Sequence, residues 1–438
     1  MSLKAKRKIK NVTVIGLGKS GVSTARLLAA QGNDVFITDS RADEDISLSA
    51  ETLLKEGVLK RENLEIGRHT QGFISNADLV VVSPGVRGDS LPIKWAEEQN
   101  IPVISELELA FTMCTASVIA VTGTSGKTTV TTLIGEMLTR SGRDVVTCGN
   151  IGTPFTGEIK RITPSSIVVV EVSSFQLERI KTFKPKVSVI LNISENHLDR
   201  HKDMEEYTSC KKKIYSNQDE FDTLFLNSSD KVLKDISRGI KKVKVEFFNE
   251  YKNFSKRFNI NNEDYLAAVS VAASQGASEQ DMRDALSEFR GIEHRLEYVD
   301  SVNGVDFIND SKATTVASVE WALKSLGGKI ILILGGKYKG GDFSRLGPYI
   351  NEKVDSIIAI GEARGIITEQ LKDFQRVKEK DSLKQAVQLA FDEASKGSKI
   401  VLSPGCSSFD MFKNYEERGK CFKELCLEFK TGTLKRAL

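Results

Sequence analysis

No stretch of this 438-residue sequence approaches the roughly 18 consecutive apolar residues that a membrane-spanning helix requires. The longest candidate runs, Ile167–Val170 and Ile330–Leu334, have the length of strands. Charge of one sign is not in excess either. Lys and Arg number 62 against 59 Asp and Glu, and a net charge of +3 excludes reading the whole chain as a nucleic-acid binder. Cysteine is sparse, at 114, 148, 210, 406, 421 and 426, and no pair has CxxC spacing. A zinc ribbon or thioredoxin-type site is therefore not indicated, and scattered thiols in a long chain read as reduced, in a cytoplasmic protein. The basic segment Met1–Lys10 is followed by no apolar run and no small-residue cleavage site. It reads as a solvated tail, not a secretory signal. There is no internal repeat and no low-complexity linker.

What remains is an ordinary soluble composition, 40% apolar and 28% charged, in a chain long enough for two to four domains. Strands and helices alternate throughout, the pattern of parallel α/β sheets. The strand Asn11–Ile15 runs into Gly16-Leu-Gly18-Lys-Ser-Gly21, a helix, and a second strand ending at Asp39. That is a β-α-β unit with a glycine fingerprint, and on its own it suggests a dinucleotide. Boundaries fall near 112 and 297, giving domains at 1–112, 113–296 and 297–438. The third opens on a hairpin whose turn is Asn303-Gly304.

A second glycine turn, Gly123-Thr124-Ser125-Gly126-Lys127-Thr128-Thr129, follows the strand Ser117–Val121 and opens a helix to about Arg140. In that context backbone N–H groups at the helix start bind phosphate oxygens. Lys127 bridges the outer phosphates and the Thr128 hydroxyl holds Mg²⁺. The common motif has a further glycine where this chain has Val121. Glu171 ends the apolar strand from Ile167, as an acid that orients the metal would, although a strand-end glutamate is as often structural. His197, Asp199 and His201 read either as part of a transition-metal site or as a capped helix start with surface histidines.

Taken in order, the motifs resemble those of the Mur ligases, ATP-dependent amide-forming enzymes of peptidoglycan precursor synthesis. They are the phosphate turn 122–129, Gly149-Asn150-Ile-Gly152, Glu171-Val-Ser-Ser-Phe-Gln176-Leu-Glu178 and Leu191-Asn192 through Arg200. Further on come Gly291-Ile-Glu-His294-Arg295, Asn309-Asp310-Ser-Lys312-Ala-Thr314, Leu334-Gly-Gly-Lys-Tyr-Lys339 and Ser403 through Tyr415. The runs after Glu171 and near the C-terminus are most similar to those of the branch that adds D-glutamate to UDP-N-acetylmuramoyl-L-alanine. Lysine or diaminopimelate adders typically carry His where this chain has Phe175. Other Mur ligases and folylpolyglutamate synthases are the nearest alternatives. A NAD-dependent or regulatory Rossmann protein would leave the phosphate turn and the C-terminal runs unexplained.

The resemblance implies three α/β domains: Rossmann-like, P-loop ATPase and Rossmann-like. It implies a cytoplasmic, monomeric enzyme using ATP and two Mg²⁺ ions, with no nucleic-acid or membrane partner. Gly16, Gly18, Gly21, Asp39, Arg41, Ser83 and Gly85 would hold the uridine nucleotide. Asn150, Ser173 and Gln176 would position the rest of that substrate. Thr128, Glu171 and His197 would ligate metal, leaving His201 at the surface. Asn261, His294, Arg295, Asp310 and Lys312 would surround ATP, with Asp264 standing where the family usually has a second Asn. Thr314, Lys339, Ser408, Phe409 and Tyr415 would hold D-glutamate. Lys211 aligns with a lysine that is carbamylated in the family, whereas a plain reading of Lys211-Lys212-Lys213 is a solvated helix face. Ligands spread over three segments imply that the domains close during the reaction.

Overall fold

The strands of this chain are continuous apolar runs rather than alternating ones, as parallel sheets covered on both faces require. In the computed structural model, which describes residues 9–195, 200–289, 291–338 and 340–434, all residues of Leu79–Val82, Val187–Ile190 and Ile330–Gly335 are buried. His197, Asp199 and Lys339 lie outside the described residues. The chain divides into two units, residues 1–289 and 290–438.

The first unit holds two sheets. One is entirely parallel, with order β3-β2-β1-β4-β5, built from β1 (Asn11–Ile15), β2 (Asp34–Asp39), β3 (Leu64–Ile66), β4 (Leu79–Val82) and β5 (Val103–Ser105). The strand order reverses between β1 and β4, so a crevice opens beyond their carboxyl ends. The other, also parallel, has order β11-β10-β9-β6-β8-β7. Its strands are β6 (Ser117–Thr122), β7 (Val145–Gly149), β8 (Ile167–Glu171), β9 (Val187–Ile190), β10 (Thr223–Leu226) and β11 (Lys244–Phe247). The helix Lys127–Arg140 buries Val130, Leu133, Ile134, Met137 and Leu138 in a core shared with the alanine-rich helix Glu263–Ser274.

The second unit carries a sheet of order β12-β13-β17-β14-β15-β16: β12 (Glu297–Val302), β13 (Val305–Asn309), β14 (Ile330–Gly335), β15 (Val354–Ile360), β16 (Val377–Lys380) and β17 (Lys399–Leu402). Only the β12–β13 pair is antiparallel. Asn303 and Gly304 turn it with φ of 54° and 78°, the left-handed values a two-residue hairpin favours. Strands expected over 305–309, 356–360 and 399–402 are all present. All six cysteines are free thiols, and no described helix is long and apolar enough to cross a membrane.

The chain passes from the first sheet to the second through the helix Glu106–Met113, capped by the Ser105 hydroxyl. Two glutamates on that helix are buried. Glu106 accepts from the Thr156 backbone N–H at 2.8 Å and from its hydroxyl at 2.9 Å. Glu108 accepts from the backbone N–H groups of Lys181, Thr182 and Phe183 at 2.9, 2.6 and 3.0 Å, and from the Thr182 hydroxyl. Removing that carboxylate strands buried donors, each costing about 1–3 kcal/mol. Glu108→Ala should therefore lower stability by about 3 kcal/mol or more, read as a shift of the urea midpoint, with Glu108→Gln falling between it and the unmodified protein.

Candidate active site around the phosphate loop

Loops at the carboxyl ends of β1 and β4 build the first half of the site. The Asp39 carboxylate accepts from the Leu17 backbone N–H at 2.8 Å, and from the Arg41 backbone at 2.9 Å and its guanidinium at 3.1 Å. Burial alone would raise its pKa, but these bonds to Arg41 and the backbone N–H groups outweigh it and hold the carboxylate below its usual range. Asp39 thus shapes the glycine turn and orients a largely exposed Arg41. Gly21 lets the first helix pack against the strand end, since a Cβ there would sit 1.9 Å from the Gly16 carbonyl oxygen. Ser83 donates its hydroxyl to that same carbonyl at 3.0 Å. Gly18 and Gly85 face open space, where a ligand can approach the backbone.

The second half lies beyond β6, β7, β8 and β9. Val121, the departure from the common motif, is a paired residue of β6, so the strand continues and the turn begins only at Gly123. The Asn192 side-chain oxygen accepts from the backbone N–H groups of Thr124 and Ser125 at 3.0 and 2.9 Å, and Tyr207 meets the Thr124 hydroxyl at 3.2 Å. Lys127 places its ammonium on the carbonyls of Gly123 and Thr124, both at 3.0 Å. Gly126 has φ of 79°, and a Cβ there would meet the Asp264 carboxylate at 2.1 Å. Burial, reinforced by Glu263 and opposed by Lys127, pushes Asp264 up to about 6. Thr129 lies in the first turn of the helix that follows, and Asn261 is exposed just ahead of the helix Glu263–Ser274.

Three side chains converge beside this turn. Thr128 donates to one oxygen of the buried Glu171 at 2.8 Å, and Asn150 donates to the other at 2.7 Å. Ser173 and Gln176 bond each other in a capping box at the start of the short helix Ser174–Leu177. Both are at the site, but their side chains already hold that helix end.

Two residues correct the plain sequence reading. Lys211 is not on a solvated face: it is 1% exposed, with its amine 2.8 Å from the Gly123 carbonyl and 4.6 Å from the Tyr207 ring. Lys212 is exposed and Lys213 donates to the Glu178 carbonyl. A helix presents consecutive residues about 100° apart, so only one of the three can face inward. Burial, with a smaller contribution from Lys127, drives Lys211 down to about 6. His201 is not a surface residue either. It is buried, bonds the Ser174 hydroxyl at 3.0 Å and stacks on Phe175 with ring centroids 5.4 Å apart.

In the second unit the predicted residues gather where β13 and β17 end side by side. Asp310 accepts from the Ser403 hydroxyl at 2.7 Å and the Leu296 backbone N–H at 3.2 Å, and burial raises it to about 7. Lys312 lies with its ammonium 5.8 Å from the ring of Tyr415. His294 packs edge-on to that ring, Arg295 is exposed beside it, and Thr314 follows on the same loop. Ser408 is buried after β17, and Phe409 exposes its ring.

Three family profiles cover these elements in turn: Mur ligase MurD-like, N-terminal domain at 10–105, Mur ligase middle domain at 121–283, and Mur ligase, glutamate ligase domain at 294–406. Two relatives named UDP-N-acetylmuramoylalanine–D-glutamate ligase, from Pelotomaculum thermopropionicum and Koribacter versatilis, are each 38% identical to it. The alignments span 97% and 95% of this chain and 98% and 97% of theirs. The chain belongs to the Mur ligase family. Its fold is shared with MurC of Thermotoga maritima (TM-score 0.58, 19% identity, 96% of this chain and 99% of that one). It is shared also with MurF of the same organism, solved with ADP (TM-score 0.54, 16% identity, 98% and 97%).

In this Mur ligase the donor set at Thr128 and Glu171 fits Mg²⁺. The donors are hard oxygens, a hydroxyl and one carboxylate, which leaves positions for water and phosphate. No cluster of three His, Cys, Asp or Glu that would suit a softer metal occurs among the described residues. Asn192 and Tyr207 brace the phosphate loop and Arg200 holds the turn after β4, yet the sequence assigned them no role, because each acts through residues distant along the chain.

The unfolded chain protonates Lys211 below about 10.5, whereas the folded protein does so only below about 6. Between those values the unfolded state binds the extra proton, so this residue makes stability rise with pH across that window. Lys211→Met should flatten that rise, measured as urea midpoints at pH 6.5 and 9 in CO₂-free buffer.

Proposed function

We propose that this chain joins D-glutamate to UDP-N-acetylmuramoyl-L-alanine at the expense of ATP, in cytoplasmic peptidoglycan precursor synthesis, and works as a monomer. The near full-length match to relatives bearing that name carries the reading. The geometry of the phosphate loop supports it.

The substrate carboxylate must be activated before an amine can displace oxygen from it. The carboxylate oxygen takes the γ-phosphoryl group of ATP, and ADP leaves. The D-glutamate nitrogen then attacks the acyl carbon, the acyl–oxygen bond breaks, and phosphate departs as the amine loses a proton. Each step places negative charge on oxygens, so the site needs fixed positive charge and N–H donors. Lys127 would leave its loop carbonyls for the outer phosphates, and the N–H groups starting the Lys127–Arg140 helix would receive the rest. Thr128 and Glu171, with His197, would hold Mg²⁺, which would supply further neutralisation of phosphate charge. Asn150 orients Glu171. Gly16, Gly18, Gly21, Asp39, Arg41, Ser83 and Gly85 would receive the uridine nucleotide, and Ser173 and Gln176 shape the wall beside its acyl end. Asn261, Arg295, Asp310 and Lys312 would serve ATP. Thr314, Lys339, Ser408, Phe409 and Tyr415 would receive D-glutamate, a dianion suited by a lysine and hydroxyl donors.

Lys211 is held in the form that reacts with CO₂. Its amine is neutral near pH 7, its burial excludes competing water, and it has no acidic partner among the described residues. The nitrogen lone pair would attack CO₂ and a proton would leave to solvent, giving an anionic carbamate that turns a cationic position into an oxygen donor.

With ATP, Mg²⁺ and UDP-N-acetylmuramoyl-L-alanine, phosphate release should require D-glutamate and fail with L-glutamate, L-lysine or diaminopimelate. Release with one of the others alone would overturn the reading. Lys127→Ala should lower kcat by about 100-fold or more with an unchanged melting temperature. Lys211→Ala should be nearly inactive and partly restored by acetate, while Lys212→Ala keeps its activity.

A further inference from the structure

The turn after β4 is gripped by an arginine that belongs to the other sheet. Arg200 donates from one terminal nitrogen to the Pro84 carbonyl at 2.6 Å and from the other to the Val86 carbonyl at 2.7 Å. The guanidinium lies 3.9 Å over the Phe175 ring and 3.3 Å from the Glu178 carboxylate, with the side chain only 12% exposed. A planar fork held on one face by an aromatic ring and on one edge by an acid has a single orientation, which a lysine cannot reproduce. On its own sheet the turn is held by Ser83, whose N–H reaches the Ile15 carbonyl and whose hydroxyl reaches that of Gly16. Gly85, between the two gripped carbonyls, faces open space.

The contacts continue away from the turn. Phe175 stacks on His201, His201 packs against Tyr207 at 5.3 Å, and the Tyr207 hydroxyl meets Thr124 of the phosphate loop. A packed column of side chains thus begins at the turn beside the first glycine loop and ends at the loop that would bind ATP. We propose that Arg200 is a positioning residue for the nucleotide-bearing substrate: it sets where the Ser83–Val86 turn stands relative to the phosphate loop. This rests on the reading that the turn is one wall of the uridine-nucleotide site. A turn displaced from its place binds the nucleotide-bearing substrate less well, so KM for that substrate is the constant that reads its position.

The test compares Arg200→Lys and Arg200→Ala with Arg179→Gln in the full chain. Arg179 also ties the two sheets, through the Gly88 carbonyl and Glu97, without touching Pro84 or Val86. Both Arg200 variants should raise KM for UDP-N-acetylmuramoyl-L-alanine about tenfold or more, the worth of one charge-assisted hydrogen bond, with KM for ATP within about twofold. Arg179→Gln should leave both constants within about twofold. A normal substrate KM in Arg200→Lys, or an equal rise in Arg179→Gln, overturns the assignment, the latter because general docking of the sheets would then explain it. Gly85→Val, followed by calorimetry with the same substrate, separates the two levels of inference. If Gly85→Val binds normally, the turn is not a substrate wall and the underlying reading fails. If it abolishes binding while the Arg200 variants bind normally, only the role of Arg200 falls.

Discussion

One carbonyl oxygen, that of Gly123, organises the catalytic half of this protein. Lys127 reaches it from the helix that follows the turn, and Lys211 reaches it from a helix nearly ninety residues away. Two amines share one neutral acceptor in a place largely closed to water. Such an arrangement cannot keep both fully charged, and the more deeply buried one gives up its proton near pH 6. The result is a Lys211 amine shifted toward its neutral form beside the less buried Lys127, two copies of the same residue type in different surroundings. Burial is the larger cause and the neighbouring Lys127 the smaller.

The parallel sheets explain why distant residues meet. Each strand delivers its following loop to the same edge, so Thr128, Asn150, Glu171 and Asn192 arrive beyond β6, β7, β8 and β9 although they span 64 positions. The same rule gathers Asp310, Lys312, Ser403 and Ser408 beyond β13 and β17. Joining the first two sheets is left to the buried Glu106 and Glu108 and the partly buried Arg179 and Arg200, whose partners are mostly backbone N–H and carbonyl groups. Backbone partners sit at fixed positions, so these contacts set orientation more narrowly than two mobile side chains would.

Several features of the motifs become intelligible in three dimensions. Val121 replaces a glycine because it is a strand residue, buried and paired on both sides. Asp264 presses on Gly126 so closely that the left-handed glycine is required twice, for its φ and for its missing Cβ. Phe175 carries Arg200 on one side and stacks with His201.

The sequence by itself determined the order of strands and helices and the two glycine turns that open helices after β1 and β6. Those signals are local: an apolar run makes a buried strand, glycine permits a left-handed turn, and a strand–turn–helix with Lys and Thr binds phosphate wherever it occurs. The pairing of Asn303 with Gly304 declared its hairpin for the same reason. What only the tertiary structure decided is which side chains are dry. Lys211, Lys212 and Lys213 are chemically identical in the sequence, and His201 looked like a surface residue. Packing of the Met204–Lys212 helix on the phosphate loop buries one lysine of the three, and the Phe175 ring covers the histidine. Protonation depends on solvent access, and solvent access depends on neighbours that lie tens of residues away, which no local pattern can contain.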